Sequence, residues 1–164
     1  MDHKILCSKF INLLTKQGKK QAAKKIVVGV FNHLKIQGHE PAFIFIQAFS
    51  NVIPLVGLGK VIKSGQVLYI PKIIPSASRN YLTIRWFITA STKTSKLTSI
   101  PFSKCLANLL IESCYKTGVV YKKKQEYHFN ADNNRVFLFM RIQQLIRKPR
   151  KSKKISTSLV FVKN

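Results

Sequence analysis

The residues with the clearest chemistry are cations. They fall in groups: Lys19, Lys20, Lys24 and Lys25; Lys60 and Lys63; Arg79 and Arg85; Lys122, Lys123 and Lys124 with Arg135 and Arg141; and a run from Arg147 through Lys148 and Arg150 to Lys154. Ammonium and guanidinium groups neutralise phosphates and donate hydrogen bonds to them, so their chemistry is anion binding rather than bond breaking. A single lysine of this kind is ordinarily a solvated surface residue. As a set the groups mean more, because 29 Lys+Arg face only 5 Asp+Glu and the net charge is +24. Acids that usually intersperse and balance such a surface are nearly missing. A dense polyanion is the expected partner, with nucleic acid first and an anionic membrane surface second. Tyr69, Tyr81, Tyr121 and Tyr127 lie near these groups in the chain. Such rings either stack on unpaired bases or pack half-buried.

Other chemistries are poorly supplied. The acids Asp2, Glu40, Glu112, Glu126 and Asp132 are scattered, whereas hydrolytic and metal-dependent sites gather carboxylates. Cys7, Cys105 and Cys114 form no CxxC pair, and His3, His33, His39 and His128 lack Cys/His ligand spacing. No phosphate-binding glycine loop occurs. The sequence therefore predicts no catalytic residues, no metal site, no cofactor and no small-molecule substrate, with the thiols reduced and packed as small apolar groups. The opening MDHKILCSKF has neither a secretory apolar stretch nor the Arg/Ser richness of a transit peptide, so no targeting signal is expected. The most lipid-like window, Phe43 to Gly59, is interrupted by Gln47, Ser50, Asn51 and Pro54 and reads as a buried helix followed by a turn.

The elements that must position the cations follow from the apolar pattern. At 164 residues with 46% hydrophobic residues, the chain fits one folded domain. Ser8 is placed to cap a first short helix ending before Gly18. A second, from Lys19 to about Leu34, carries Ala22, Ala23, Ile26, Val27, Val30 and Leu34 at helical spacing. A third starts at Pro41 and is broken by Pro54. Residues 56–74 are rich in β-formers around Lys63-Ser64-Gly65 and predict a hairpin, with Pro71 restricted to an edge. Two strands alone are marginal in water, so this hairpin should lean on the helical body or on a ligand. A fourth helix starts at Ser76 or Ser78 and contains Leu82 and Trp86. A fifth starts near Pro101, carries Leu106, Leu109 and Leu110, and is expected to stop at Gly118. Val119 to Lys124 then reads as a basic connection to a final helix with Val136, Phe137, Phe139, Met140 and Ile142. Trp86, Leu82 and Leu109 are the expected core. The sequence thus predicts a mainly α, six-helix domain over 1–147, with a protruding β-hairpin between the third and fourth helices, and a basic extension over 148–164 whose last residues read as a strand or a loose tail.

Four segments, in order, resemble one family. KFINLLTKQGKKQAAKKIV resembles the opening of small-subunit ribosomal protein seven, the S-seven family, and NVIPLVGLGKVIKSGQVLYIPKII resembles its Pro-bounded hairpin. RNYLTIRWFITAS is similar to its RNxLAxRWIxxAA helix, and GVVYKKKQEYHFNADNNRVF to its GxAxKKRExxHxMAEANxAF segment. The matches run collinearly over roughly residues 8–142. Residue by residue they cover Gly18, Lys19 and Lys20; Arg79, Asn80, Arg85 and Trp86; and Lys122, Lys123, Glu126, His128, Ala131 and Asn133.

The resemblance implies binding to the three-prime major domain of small-subunit ribosomal RNA and nucleation of the subunit head. It also implies neighbouring head and platform proteins, with a hairpin near the exit-site tRNA and the messenger. Glu126, an acid in a basic stretch, is expected to pair with a nearby Lys or Arg. The chain departs from the family at the hairpin tip, where an arginine pair and double glycine give way to Val61-Ile62-Lys63 and a single Gly65, and after Phe137, where AHYRW becomes LFMRI and keeps Arg141. The basic N-terminal arm of bacterial members is short here. Lys outnumbers Arg 23 to 6, with abundant Ile, Asn and Phe, a bias of A+T-rich genomes, which occur in mitochondria and plastids and in some bacteria and parasites. Together these features suggest a mitochondrially encoded member. Composition alone also fits a cationic membrane-surface or DNA-compacting protein; the ordered resemblance favours the ribosomal reading.

Overall fold

The computed structural model describes residues 3–63 and 65–138, giving the backbone alone at residues 3, 4 and 63. In order these form α1 (His3–Leu14), α2 (Lys20–Ile36), α3 (Pro41–Val52), β1 (Val56–Lys63), β2 (Gln66–Ile73), α4 (Ser76–Thr98), α5 (Phe102–Cys114) and α6 (Gly118–Asn133), followed by a 3₁₀ turn at Arg135–Phe137. This is the expected six-helix, mainly α architecture with its hairpin between α3 and α4. Phe139, Met140, Arg141, Ile142, Arg147, Lys148, Arg150 and the 148–164 extension lie outside the described residues.

α5 is the central helix. Cys105, Leu106, Ala107, Leu109 and Leu110 are buried, and it packs on α2, α3, α4 and α6. A helix apolar around most of its circumference belongs inside. Beside it the rings of Phe10, Phe45, Phe49 and Phe87 tie α1, α3 and α4 together, with Phe45 and Phe49 centroids 4.7 Å apart and Phe49 and Phe87 5.0 Å apart. In α4 the hydroxyls of a Ser/Thr-rich stretch bond back one turn, so they do not compete with the helix by bonding non-helical backbone. Thr83 donates to Arg79 O, Thr89 to Arg85 O, Ser91 to Phe87 O and Thr92 to Ile88 O, at 2.7–2.9 Å. Among the described residues no helix is long and apolar enough to cross a membrane.

Two helix boundaries differ from the sequence reading. Ser8 does not cap α1; it lies within the helix and donates to Ile5 O at 2.9 Å. The helix starts earlier because Leu6 and Phe10, four residues apart, bury one shared face. Gly118 does not end α5 but begins α6. The left-handed residue closing α5 is Lys116, at φ 58°, where Lys116 N–H reaches Ser113 O and Thr117 N–H reaches Glu112 O, a Schellman arrangement without its usual glycine. Gly118 is needed for the next turn: its φ is +83°, and a Cβ there would strike the Glu112 side chain.

The triple lysine is consequently helical rather than a connection. Val120, Lys124, Tyr127 and Ala131 share the inward face of α6, with Val120 and Ala131 buried and Lys124 and Tyr127 half-buried. A lysine on that face masks the apolar period in the sequence. Val136 and Phe137 lie in the 3₁₀ turn, not in a final helix.

The hairpin pairs Val56 with Ile73 through Lys63 with Gln66, and Gly65 turns at φ +79°. Its base leans on α6 and the 3₁₀ turn. There Ile70 and Pro71 are buried, whereas Lys60, Ile62, Val67 and Tyr69 toward the tip are exposed. Contact with α6 is close: a Cβ on Gly57 would come within 2.9 Å of the Tyr127 ring and 2.8 Å of Ile74. Only glycine lets the strand seat there without displacing them.

Candidate nucleic-acid interface

The cations occupy two sets of elements. Lys19, Lys20 and Lys24 are exposed at the start of α2, which packs on α1, α3 and α5. The helix has no acid in its first turn and no side-chain N-cap, so its positive end adds to the lysines. The second set surrounds a junction. α4 carries Arg79 and Arg85, α6 carries Lys122, Lys123 and Lys124, and both touch each other; α6 also holds the base of the hairpin that carries Lys60 and Lys63. Lys60, Arg85, Lys122, Lys123 and Arg135 are exposed. Among the described residues no ion pair forms, and Glu126, expected to pair with a neighbouring cation, has no such partner. It is exposed on α6, where solvent screens it.

Some cations are engaged within the fold. Lys124 Nζ donates to Asn51 O at the end of α3, at 2.6 Å. Asn51 Nδ2 in turn donates to Ser113 O and Cys114 O at the end of α5, at 3.1 and 2.8 Å. A cation thus meets one helix carboxyl end directly and an amide ties the second to it. Burial, and next the charge of Lys116, pull the Lys124 pKa below the usual lysine value. Replacing Lys124 with Met should cost about 1–2 kcal/mol of stability and lower the salt slope of nucleic-acid binding by at most about 0.9, the share of one phosphate contact. Thermal unfolding and a salt titration check the two halves separately.

Arg79, half-buried, donates from Nε to Ile74 O at 2.6 Å, fastening the end of β2 to α4. On the opposite side His128 Nε2 accepts from Leu55 N–H at 3.2 Å, while Leu55 O accepts from Ile74 N–H at 3.1 Å. The base of the hairpin is therefore pinned from α4 and from α6. Arg85 Nη1 donates to Tyr81 Oη at 2.9 Å. Trp86 and Leu109 are buried and Leu82 half-buried. The sequence reading missed Lys72, exposed on β2, and Asn51. Neither carries a local signal, since Lys72 is one lysine in a strand and the partners of Asn51 lie 62 and 63 residues away.

The His128 contact is pH-dependent. Burial foremost, then the Lys124 charge, depress the imidazole pKa, with Asp132 opposing. A depressed histidine stabilises the fold above its unfolded pKa of about 6.5, and that contribution is lost as pH falls through the lower folded value. Protonated Nε2 is no longer an acceptor. Hydrogen exchange at the Leu55 amide, corrected for intrinsic rate, should accelerate between pH 7 and 5; the His128→Ala chain should lack this change.

The family model for ribosomal protein S7p/S5e matches residues 1–135. The small ribosomal subunit protein uS7 of Nitrosomonas europaea is 34% identical over 140 residues, covering 85% of this chain and 88% of that protein. The uS7 of Treponema denticola is 33% identical over 138 residues, covering 84% and 86%, and that of Polynucleobacter necessarius is 33% identical over 135 residues, covering 82% and 85%. Matched along most of its length by both the family model and these bacterial proteins, the chain belongs to the ribosomal protein S7p/S5e family.

Proposed function

We propose that this structural constituent of the small ribosomal subunit binds the three-prime major domain of small-subunit ribosomal RNA, nucleates assembly of the head and brings its hairpin to the exit-site tRNA and the messenger. The observation that carries RNA binding is the charge imbalance: 29 cationic residues in the chain, and no ion pair among the described ones. Phosphates supply the missing counter-charge. Recognition is by shape, because the deep groove of folded RNA hides base edges from side chains. Within the described residues, the proposed contacts are Lys19, Lys20, Lys24, Lys60, Lys63, Arg79, Arg85, Lys122, Lys123, Lys124 and Arg135; Arg79 and Lys124 also serve the fold. Arg141, Arg147, Lys148 and Arg150 complete the set outside them. Head and platform proteins are the proposed protein neighbours.

The proposed compartment is the mitochondrion, with the chain encoded in the organelle. The relatives above are bacterial, and the organellar reading rests on the Lys-rich, A+T-type composition and the drift from the bacterial motifs. Sedimentation in moderate salt tests assembly and compartment together. The chain should travel with mitochondrial small subunits; pelleting with lipid or with DNA would overturn the proposal.

Shortening the hairpin across Lys60–Gln66 should leave the melting temperature of the body within about 2 °C, because these residues lie beyond the buried base. Exit-site tRNA retention should fall. Collapse of the fold instead would refute the projecting role of the tip.

A further inference from the structure

We infer that the groove between the base of the hairpin, α4 and α6 receives one unstacked base of the ribosomal RNA, an inference that rests on the RNA-binding reading above and adds a site to it. The groove has a volume of about 310 Å³, within the range of small-ligand sites. Leu58, Ile74 and Leu82 give it an apolar lining, and Tyr81 and Tyr127 contribute aromatic rings. Both tyrosines are held before any ligand arrives. Tyr127 stands edge-on to buried Trp86, centroids 5.4 Å apart, and Tyr81, 44% exposed, has its hydroxyl held by Arg85. Rings fixed in advance lose little freedom on stacking.

Charge selects the occupant. Lys72 lines the same groove, Arg85 holds Tyr81 beside it, and no carboxylate is among the lining residues. A nucleotide fits both parts, its base against the tyrosines and its phosphate on the cations. An apolar side chain from a protein neighbour would fill the lining but leave Lys72 and Arg85 without a counter-charge.

The test uses the full chain and a transcript of the three-prime major domain encoded by the same genome. Tyr81→Ala should weaken binding by roughly 5- to 150-fold, the range for loss of one base stack. Tyr81→Phe, which keeps the ring but releases it from Arg85, should weaken binding far less than Tyr81→Ala. Ser78→Trp, at an exposed lining position, should block the groove and match Tyr81→Ala. Tyr81→Ala and Tyr81→Phe should keep the salt slope of the parent, since stacking releases no counterions, whereas Ser78→Trp, which also displaces the phosphate from Lys72, should lower it by about 0.7–0.9. Unchanged affinity in both Tyr81→Ala and Ser78→Trp would overturn the base site while RNA binding stood. If those variants bound the transcript normally yet failed to enter subunits, the occupant would be a protein side chain, which also overturns it. A parent chain that bound without salt dependence would instead refute the underlying RNA reading.

Discussion

Trp86→Ala lowers the stability of the domain by about 3–5 kcal/mol, the cost of removing a large buried ring. At about 2–4 °C per kcal/mol for a chain of this size, the melting temperature falls by roughly 6–20 °C. The indole is 6% exposed, stands against Tyr127, and has Lys123 Nζ 6.0 Å from its ring. Its removal opens a cavity between α4 and α6 and withdraws support from the ring on which Gly57 and the hairpin seat. Trp86→Phe, which keeps part of the volume, should lose less. Thermal unfolding followed by circular dichroism measures both; an unchanged melting temperature in the alanine chain would mean that the indole does not hold this junction.

Replacing Lys19, Lys20, Lys122 and Lys123 together with alanine has the larger effect on binding. Each phosphate contact contributes about 0.7–0.9 to the slope of log affinity against log salt, so four contacts account for about 3–4 of it. Between 50 and 200 mM salt the unaltered chain should lose about 50- to 150-fold more affinity than the fourfold variant. The two should converge as salt rises. All four side chains are exposed and none pairs with an acid, so the fold should tolerate the change. Parallel salt curves would show that these lysines face solvent in the complex.

The helical body is legible where a local signal and the apolar period agree. Pro41 and Pro54 bracket α3, and Ala23, Val27, Val30 and Leu34 mark the buried stripe of α2. The hairpin is legible from its β-formers around Gly65. α6 is not, because Lys124 occupies an inward position and only the distant carbonyl of Asn51 makes that position favourable. Gly118 misled for a related reason: Lys116 took the left-handed position in which a glycine is usual. The same limit applies to the interface. Runs such as Lys122-Lys123-Lys124 disclose a cationic segment, but only packing separates the first two, exposed, from the third, held at a helix end. His128 is part of a matched motif, yet its role in pinning the hairpin depends on Leu55, 73 residues earlier.

In the proposed function, ribosomal RNA completes this surface. A density map of the small subunit carrying the chain tests it most directly. Lys19, Lys20, Lys60, Arg85, Lys122 and Lys123 should lie within about 2.7–3.2 Å of phosphate oxygens, around the three-prime major domain. Finding those side chains in open solvent, or buried against protein with no RNA beside them, would contradict it.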